Sequence, residues 1–316
     1  MRRLMALVLL TLAALVAPMV AMADTVKAFD PAKGELPEGI AFNRRGSLYV
    51  SLAPLGEIRR RSPDGTWSTL ARLGSDPAGG LAVLGLAADA RGTVYAAAPT
   101  ADPRWHGVVV ISPKGNVRRL PGSEAMQFPN AIAWDKSGNH YVTDSVGGSI
   151  WRITPRGEVR LWLEHRLLEG TAALNPFPLG ANGVVHDRGR LYVANTEKKH
   201  VVEVPIERNG LPGKPRIVYA FRGATDFLDG ITVDRAGRLY VLLVAKSELV
   251  RIDKQGRITT LAGASDGLNI PASLTFGVRG WDRQALYVTN MALPDLTSTP
   301  SPAVIVLRGE LRGSLK

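Results

Sequence analysis

The sequence predicts an all-β fold, a six-bladed β-propeller of four-stranded antiparallel blades whose last blade is closed by the N-terminal strand. Three observations carry this. A strand–turn–strand unit recurs six times, from Glu38, Leu84, Asn130, Asn182, Asp229 and Ala272, positions 43 to 52 residues apart, which is propeller-blade spacing. Six of the seven tyrosines (Tyr49, Tyr95, Tyr141, Tyr192, Tyr240 and Tyr287) hold one register in its second strand. A second strand–turn–strand unit follows in most copies.

The first unit reads "EGIAFNRRGSLYVS", "LGLAADARGTVYAA", "NAIAWDKSGNHYVT", "NGVVHDRGRLYVAN" and "DGITVDRAGRLYVL", with a looser "ASLTFGVRGWDRQALYVTN" last. β-Branched and aromatic residues alternate around a glycine turn, as half-buried strands require. The second unit, in "IRRRSPDGTW", "VVVISPKGNV", "SIWRITPRGEV" and "LVRIDKQGRI", places x-Gly where a tight turn needs it. The sixth copy ends after "AVIVLRG" with no fourth strand, while "DTVKAFD" precedes the first copy unassigned. Val26–Asp30 is therefore expected to pair into the last blade and latch the ring, which protects the sheet edges. No linker composition divides the chain, so residues 24–316 are expected to form one domain.

Residues 1–23, "MRRLMALVLLTLAALVAPMVAMA", read as a signal peptide: Arg2 and Arg3, an apolar run from Leu4 to Val20, and a small-x-small end at Ala21-Met22-Ala23. An uncleaved anchor is the alternative; Pro18 and the Ala-x-Ala end favour cleavage and a periplasmic or secreted protein. The absence of cysteine excludes disulfides, thiolate metal sites and a cysteine nucleophile. Losing Arg2 and Arg3 takes the formal charge from +11 to +9. No nucleic-acid motif accompanies that charge. Arg44, Arg45, Arg91, Lys114, Lys136, Arg156, Arg188, Arg235 and Lys254 are expected together on the turn face, where solubility or weak attraction to anionic surfaces is the consequence.

In a propeller the first strand of each blade lines the central channel, so the residue that opens it faces the axis. The six opening positions hold Glu38, Leu84, Asn130, Asn182, Asp229 and Ala272. Two carboxylates and two amides converging there repel or stay unsatisfied without a cation. Hard oxygen donors of mixed charge suit Ca²⁺ best, with Mg²⁺, Mn²⁺ or Zn²⁺ as alternatives and a closed structural zinc site disfavoured. Equally, polar residues often cap strands and turns by local hydrogen bonds.

These four residues in their contexts resemble the senescence-marker-protein/gluconolactonase family, the regucalcin-like six-bladed propellers, over essentially the whole chain after the leader. "PEGIAF" is similar to the family's first-blade glutamate element, "FPNAIAWDKSGN" to its Asn-bearing third blade, "ANGVVHDRGRLYVANT" to its fourth, "LDGITVDRAGRLYV" to its fifth, and "LTFGVRGWDRQALYVTN" to its last. The resemblance implies a divalent metal held by Glu38, Asn130, Asn182 and Asp229, and a small-molecule substrate. Where sugar-lactonase members carry Arg-x-Asn-Asp, this chain has Phe128-Pro129-Asn130-Ala131, which argues against an aldonolactone substrate.

The three longest insertions, "APTADPRWHG", "WLEHRLLEGTAALNPFPLG" and "NMALPDLTSTPSP", all belong to the donor face. Binding is built on such loops. They place Trp105, His106 and Phe177 as pocket candidates, with Met291 and Leu293 making the pocket partly apolar. His165 falls in a stretch that reads as helical, and His186 as a hydrogen-bonded core residue. With no nucleophile elbow, P-loop or HExxH in context, any catalysis is the metal's electrophilic work, with Asp229 as general base or nucleophile. A Ca²⁺-dependent hydrolase of lactones or related esters is the leading expectation. A non-catalytic ligand- or protein-binding propeller is the alternative, and a strictosidine-synthase-like propeller ranks last.

Overall fold

Six four-stranded antiparallel sheets stand around a central channel in the computed structural model, which describes residues 22–173, 178–294 and 296–308. The leader reading therefore lies outside the described residues up to position 21, as does Phe177. The inner strands are Pro37–Phe42, Leu86–Ala88, Pro129–Trp134, Ala181–Asp187, Leu228–Val233 and Pro271–Phe276. Five blades run in chain order from inner to outer strand. The sixth stacks Pro271–Phe276, Leu286–Asn290, Ala303–Arg308 and then the N-terminal strand Met22–Ala28.

The latch thus forms, with a shifted extent. It pairs Asp24 with Val306, Thr25 with Ile305 and Ala28 with Ala303, and starts before the expected Val26. It stops short of Asp30 because that carboxylate accepts from Ala32 N at 3.0 Å and caps a 3₁₀ turn opened by Pro31.

Apolar residues from facing strands fill the spaces between blades. Tyr240, Leu242 and Leu249 of the fifth blade meet Phe276, Leu286 and Val288 of the sixth, with the Tyr240 and Phe276 rings edge-to-face at 5.2 Å. The repeated tyrosines have a second task at their hydroxyls. Tyr141 and Tyr240 donate to Asp135 and Asp234 at 3.3 and 3.1 Å, and Tyr287 to Asp282 at 2.7 Å. Asn43 Nδ2 donates to the Tyr49 hydroxyl at 3.2 Å. Each of these Asn or Asp residues sits in the turn between a blade's first two strands, so one ring oxygen pins the turn to the blade.

Those turns carry six of the nine basic residues expected on that face, and Lys114, Arg156 and Lys254 stand in the turns between third and fourth strands. Arg44, Lys136 and Arg188 stand at the turn-face mouth of the channel, a cavity of about 540 Å³ walled by inner-strand residues such as Ile40, Leu86, Ile132, Val184 and Leu274. The Arg44 guanidinium lies 5.5 Å over the Trp134 ring at that mouth. His186 lines the same cavity, and its Nε2 accepts from Gly189 N at 3.3 Å. The stretch after Glu164 is a turn and not a helix; His165 Nδ1 accepts from Leu167 N at 3.1 Å, closing the chain locally before a second turn can form.

Candidate metal centre

Each oxygen-bearing candidate sits on a local fault in its blade. Pairing between first and second strands slips between Pro37 and Ile40, Pro129 and Ile132, Ala181 and Val184, and Leu228 and Ile231. Glu38, Asn130, Asn182 and Asp229 fall inside those four slips. A β-bulge turns a side chain out of the pleat, so a donor that would face a neighbouring blade is re-aimed at the axis.

What holds the inner strands together is the glycine that follows four of the six opening residues. Gly39, Gly85, Gly183 and Gly230 press against the next blade's opening residue. A Cβ on Gly183 would lie 2.3 Å from Asp229 O, and one on Gly39 2.4 Å from Leu84 O. Second-strand hydroxyls complete the ring. Ser51 Oγ accepts from Gly39 N at 2.7 Å and donates to Leu84 O at 2.8 Å; Thr143 Oγ1 accepts from Ala131 N at 3.0 Å and donates to Asn182 O at 2.7 Å. Thr289 donates to Glu38 O at 2.5 Å across the first–sixth blade seam.

Three of the four side chains, Glu38, Asp229 and Asn182, interact at the axis. Glu38 is fully enclosed; burial, and then the charge of Asp229, holds its carboxyl well above the usual range. Burial does the same to Asp229, against the opposing pull of a hydrogen bond from the Asn182 side chain. Asn130 donates through Nδ2 to Ser145 Oγ at 3.0 Å, and Asn182 to Thr196 Oγ1 at 3.1 Å. Glu38 Oε2 and Asn130 Oδ1 are buried without a hydrogen-bond partner among the described residues. Orphaned buried oxygens are rare and costly. Two mutually repelling carboxylates and a buried, unpaired amide oxygen form a donor set that fits a hard divalent cation. Among the described residues no cluster of three or more His, Cys, Asp or Glu offers a rival metal site.

The rest of the ring is apolar. Leu84 and Ala272, the two opening positions without a donor atom, join Leu36, Ala53 and Met291 in one buried cluster, with Leu81, Phe128 and Leu293 packed against it. Glu38 therefore sits between two apolar positions, which accounts for the dominance of burial in its shift. Beside this cluster a cavity of about 750 Å³ opens between the second and third blades, sharing Leu81 and Phe128 with it and walled also by Thr100 and His106. His106 is fixed there through Nδ1 to Thr100 O at 2.9 Å and Nε2 to Met126 O at 2.7 Å. Trp105 turns the other way and packs on the core between the first two blades. Sequence reasoning missed the hydroxyls of Ser51, Thr143, Ser145, Thr196 and Thr289, which act across blade seams and leave no local pattern.

Comparison with known proteins bears out the resemblance. Residues 179–292, which include Asn182, Asp229 and Ala272, match the model of the SMP-30/Gluconolactonase/LRE-like region. No curated protein sequence matches. Among solved structures, a luciferin-regenerating enzyme superposes with a TM-score of 0.70 at 15% identity, covering 93% of this chain and 97% of its own. A gluconolactonase from Xanthomonas campestris gives 0.67 at 19%, covering 94% and 93%. A calcium-binding regucalcin from Agrobacterium tumefaciens gives 0.65 at 17%, covering 87% and 90%. At these identities the likeness speaks for the fold.

Proposed function

We propose that this chain, whose residues 179–292 carry an SMP-30/Gluconolactonase/LRE-like region, is an exported, Ca²⁺-dependent hydrolase of lactones or related esters with apolar substituents. The observation that supports the reading is the mutual influence of Glu38, Asp229 and Asn182, together with the buried oxygens of Glu38 and Asn130 left unpaired among the described residues. Glu38, Asn130, Asn182 and Asp229 would hold the cation, which when bound supplies electrophilic polarisation of the substrate carbonyl.

The chain's own residues do the rest. Asp229, which Asn182 hydrogen-bonds, would take a proton from the attacking water and return it to the departing alkoxide as the acyl–oxygen bond breaks. The apolar arc from Met291 and Ala272 through Leu36 to Leu84 and Phe128 binds hydrocarbon and offers few partners to sugar hydroxyls. The leader-like first 23 residues support export.

A panel of aliphatic lactones, aldonolactones, aryl esters and phosphotriesters, assayed with and without chelator, tests this. Chelator-sensitive turnover is expected, best on aliphatic lactones. Asp229→Ala should lower it by about 10²-fold or more, the scale of a general base, and Glu38→Gln should collapse it at the same Ca²⁺ concentration. Turnover indifferent to both substitutions overturns the proposal. Cation binding without turnover of any class would favour the ligand-binding propeller.

A further inference from the structure

Two hydroxyls after the second strand occur only where the donor is an amide. The residues directly following the six second strands are Ala53, Pro99, Ser145, Thr196, Val244 and Met291. Ser145 belongs to the blade of Asn130, and Thr196 to the blade of Asn182. The blades opened by Glu38 and Asp229 have Ala53 and Val244, and those opened by Leu84 and Ala272 have Pro99 and Met291.

The hydrogen bonds give this pattern a meaning. Ser145 Oγ donates to Ala181 O at 2.6 Å, and Thr196 Oγ1 donates to Leu228 O at 2.8 Å. A carbonyl can only accept, and a hydroxyl has one proton, so both hydroxyls have spent theirs on the next blade. Toward its own blade each can only accept. The amide it touches must therefore present N–H, as Asn130 and Asn182 do at 3.0 and 3.1 Å. An amide whose nitrogen is so held has its oxygen left for other partners, and the Asn130 Oδ1 is the buried, unpartnered atom.

We propose that Ser145 and Thr196 are positioning residues that lock the two asparagine amides oxygen-inward, making them cation ligands where a flipped amide would offer N–H₂. The inference rests on the cation reading above. Each hydroxyl also aligns neighbouring donors, because the carbonyls it grips belong to Ala181 and Leu228, the residues before Asn182 and Asp229. A glutamate or aspartate has two equivalent oxygens and needs no such lock, which is why the blades of Glu38 and Asp229 lack one.

The full chain is titrated with Tb³⁺ by luminescence and with Ca²⁺ by calorimetry. Ser145→Ala and Thr196→Val should weaken binding about 10- to 100-fold, the usual effect of losing a ligand's supporting partner. Ser145→Thr and Thr196→Ser should restore it. Trp162→Phe separates orientation from blade cohesion, since Trp162 Nε1 donates to Gly210 O of the next blade at 2.9 Å from an outermost strand, away from the four donors; it should lower thermal stability and leave affinity near wild type. A double-mutant cycle then isolates the lock. In an Asn130→Asp background, removing the Ser145 hydroxyl should cost much less affinity than in the asparagine background. Folded Ser145→Ala and Thr196→Val proteins with wild-type affinity, or an equal loss in the aspartate background, overturn the positioning role while leaving the cation site standing. A wild-type chain that takes up neither ion overturns both.

Discussion

Glu38 is a carboxylate enclosed at the channel axis, desolvated and facing the charge of Asp229. Burial disfavours its ionised form, so its folded pKa lies above the ordinary 4.5. The sign of the linkage follows. Below the unfolded value both states are protonated and nothing is lost; as pH rises from there through the folded value, the unfolded chain releases the proton first and the chelated protein loses stability. Glu38→Gln should therefore be near neutral in acid and raise the melting temperature of chelated protein as pH increases, by about 2–4 °C per kcal/mol relieved. It should also abolish the thermal shift given by Ca²⁺. Differential scanning calorimetry with chelator and with Ca²⁺ checks both arms. His140 works in the opposite sense. Stacked 3.9 Å from Tyr95, with Nδ1 unpartnered among the described residues, it has a pKa lowered by burial to about 4. Its neutral form is the folded form, so stability should fall as pH drops from about 6.5 to 4, with about 3 kcal/mol as the upper scale. His140→Phe, which keeps a ring against Tyr95, should flatten that acid limb in urea titrations. Both residues were visible in the sequence, Glu38 as a carboxylate opening a strand and His140 as a strand residue. Their environments were not, because the desolvating atoms come from other blades.

At the scale of the element, the inner strand and its bulge form the working unit. Gly183 makes it measurable, because Asp229 O and Ile231 N would lie 2.3 and 2.9 Å from an added Cβ, both of them backbone atoms with little freedom to move. Gly183→Ala should cost about 1–3 kcal/mol by overpacking and weaken Tb³⁺ uptake, since the Asp229 bulge must shift. Gly189→Ala is the comparison: its Cβ meets nothing within 4 Å, but its φ of +76° costs an L residue about 1–2 kcal/mol. Urea midpoints for both should fall while only Gly183→Ala loses metal affinity; equal affinity in the two would refute the close-approach account. Strand alternation and x-Gly turns are local signals, so the six repeats and the residues that open them could be read directly. The bulges could not. A slip of register is decided by the carbonyl of the next blade and by hydroxyls such as Ser51 and Thr143, contacts made only after the blades assemble. Trp105 shows the same limit: the insertion that carries it was legible, but its half-buried ring packs against the core between the first two blades.

For the molecule as a whole, the donor ring exists only if the propeller closes, because Glu38 comes from the first blade and Asp229 from the fifth. Closure falls on the seam between sixth and first blades, where Thr289 reaches Glu38 O and the N-terminal strand covers Ala303–Arg308. That covered strand is almost wholly buried, with Val304 in the cluster shared with the first blade and Ile305 in the cluster shared with the fifth. Removing its partner would expose a long apolar edge, which aggregates when unpaired. A chain beginning at Asp24 keeps the pairs Asp24–Val306, Thr25–Ile305, Lys27–Val304 and Ala28–Ala303, together with the Asp24–Arg308 ion pair. A chain beginning at Phe29 keeps none of them. The Asp24 chain should therefore melt cooperatively and bind Ca²⁺. The Phe29 chain should melt at least about 10 °C lower, as a loss of about 4 kcal/mol requires, self-associate as concentration rises, and bind Ca²⁺ weakly because the seam beside Glu38 is loosened. A peptide of residues 24–30 added to it should recover part of both properties. Equal melting temperatures and equal Ca²⁺ affinity for the two chains would mean that the ring is closed by its inner strands alone, and that the latch only shields an edge.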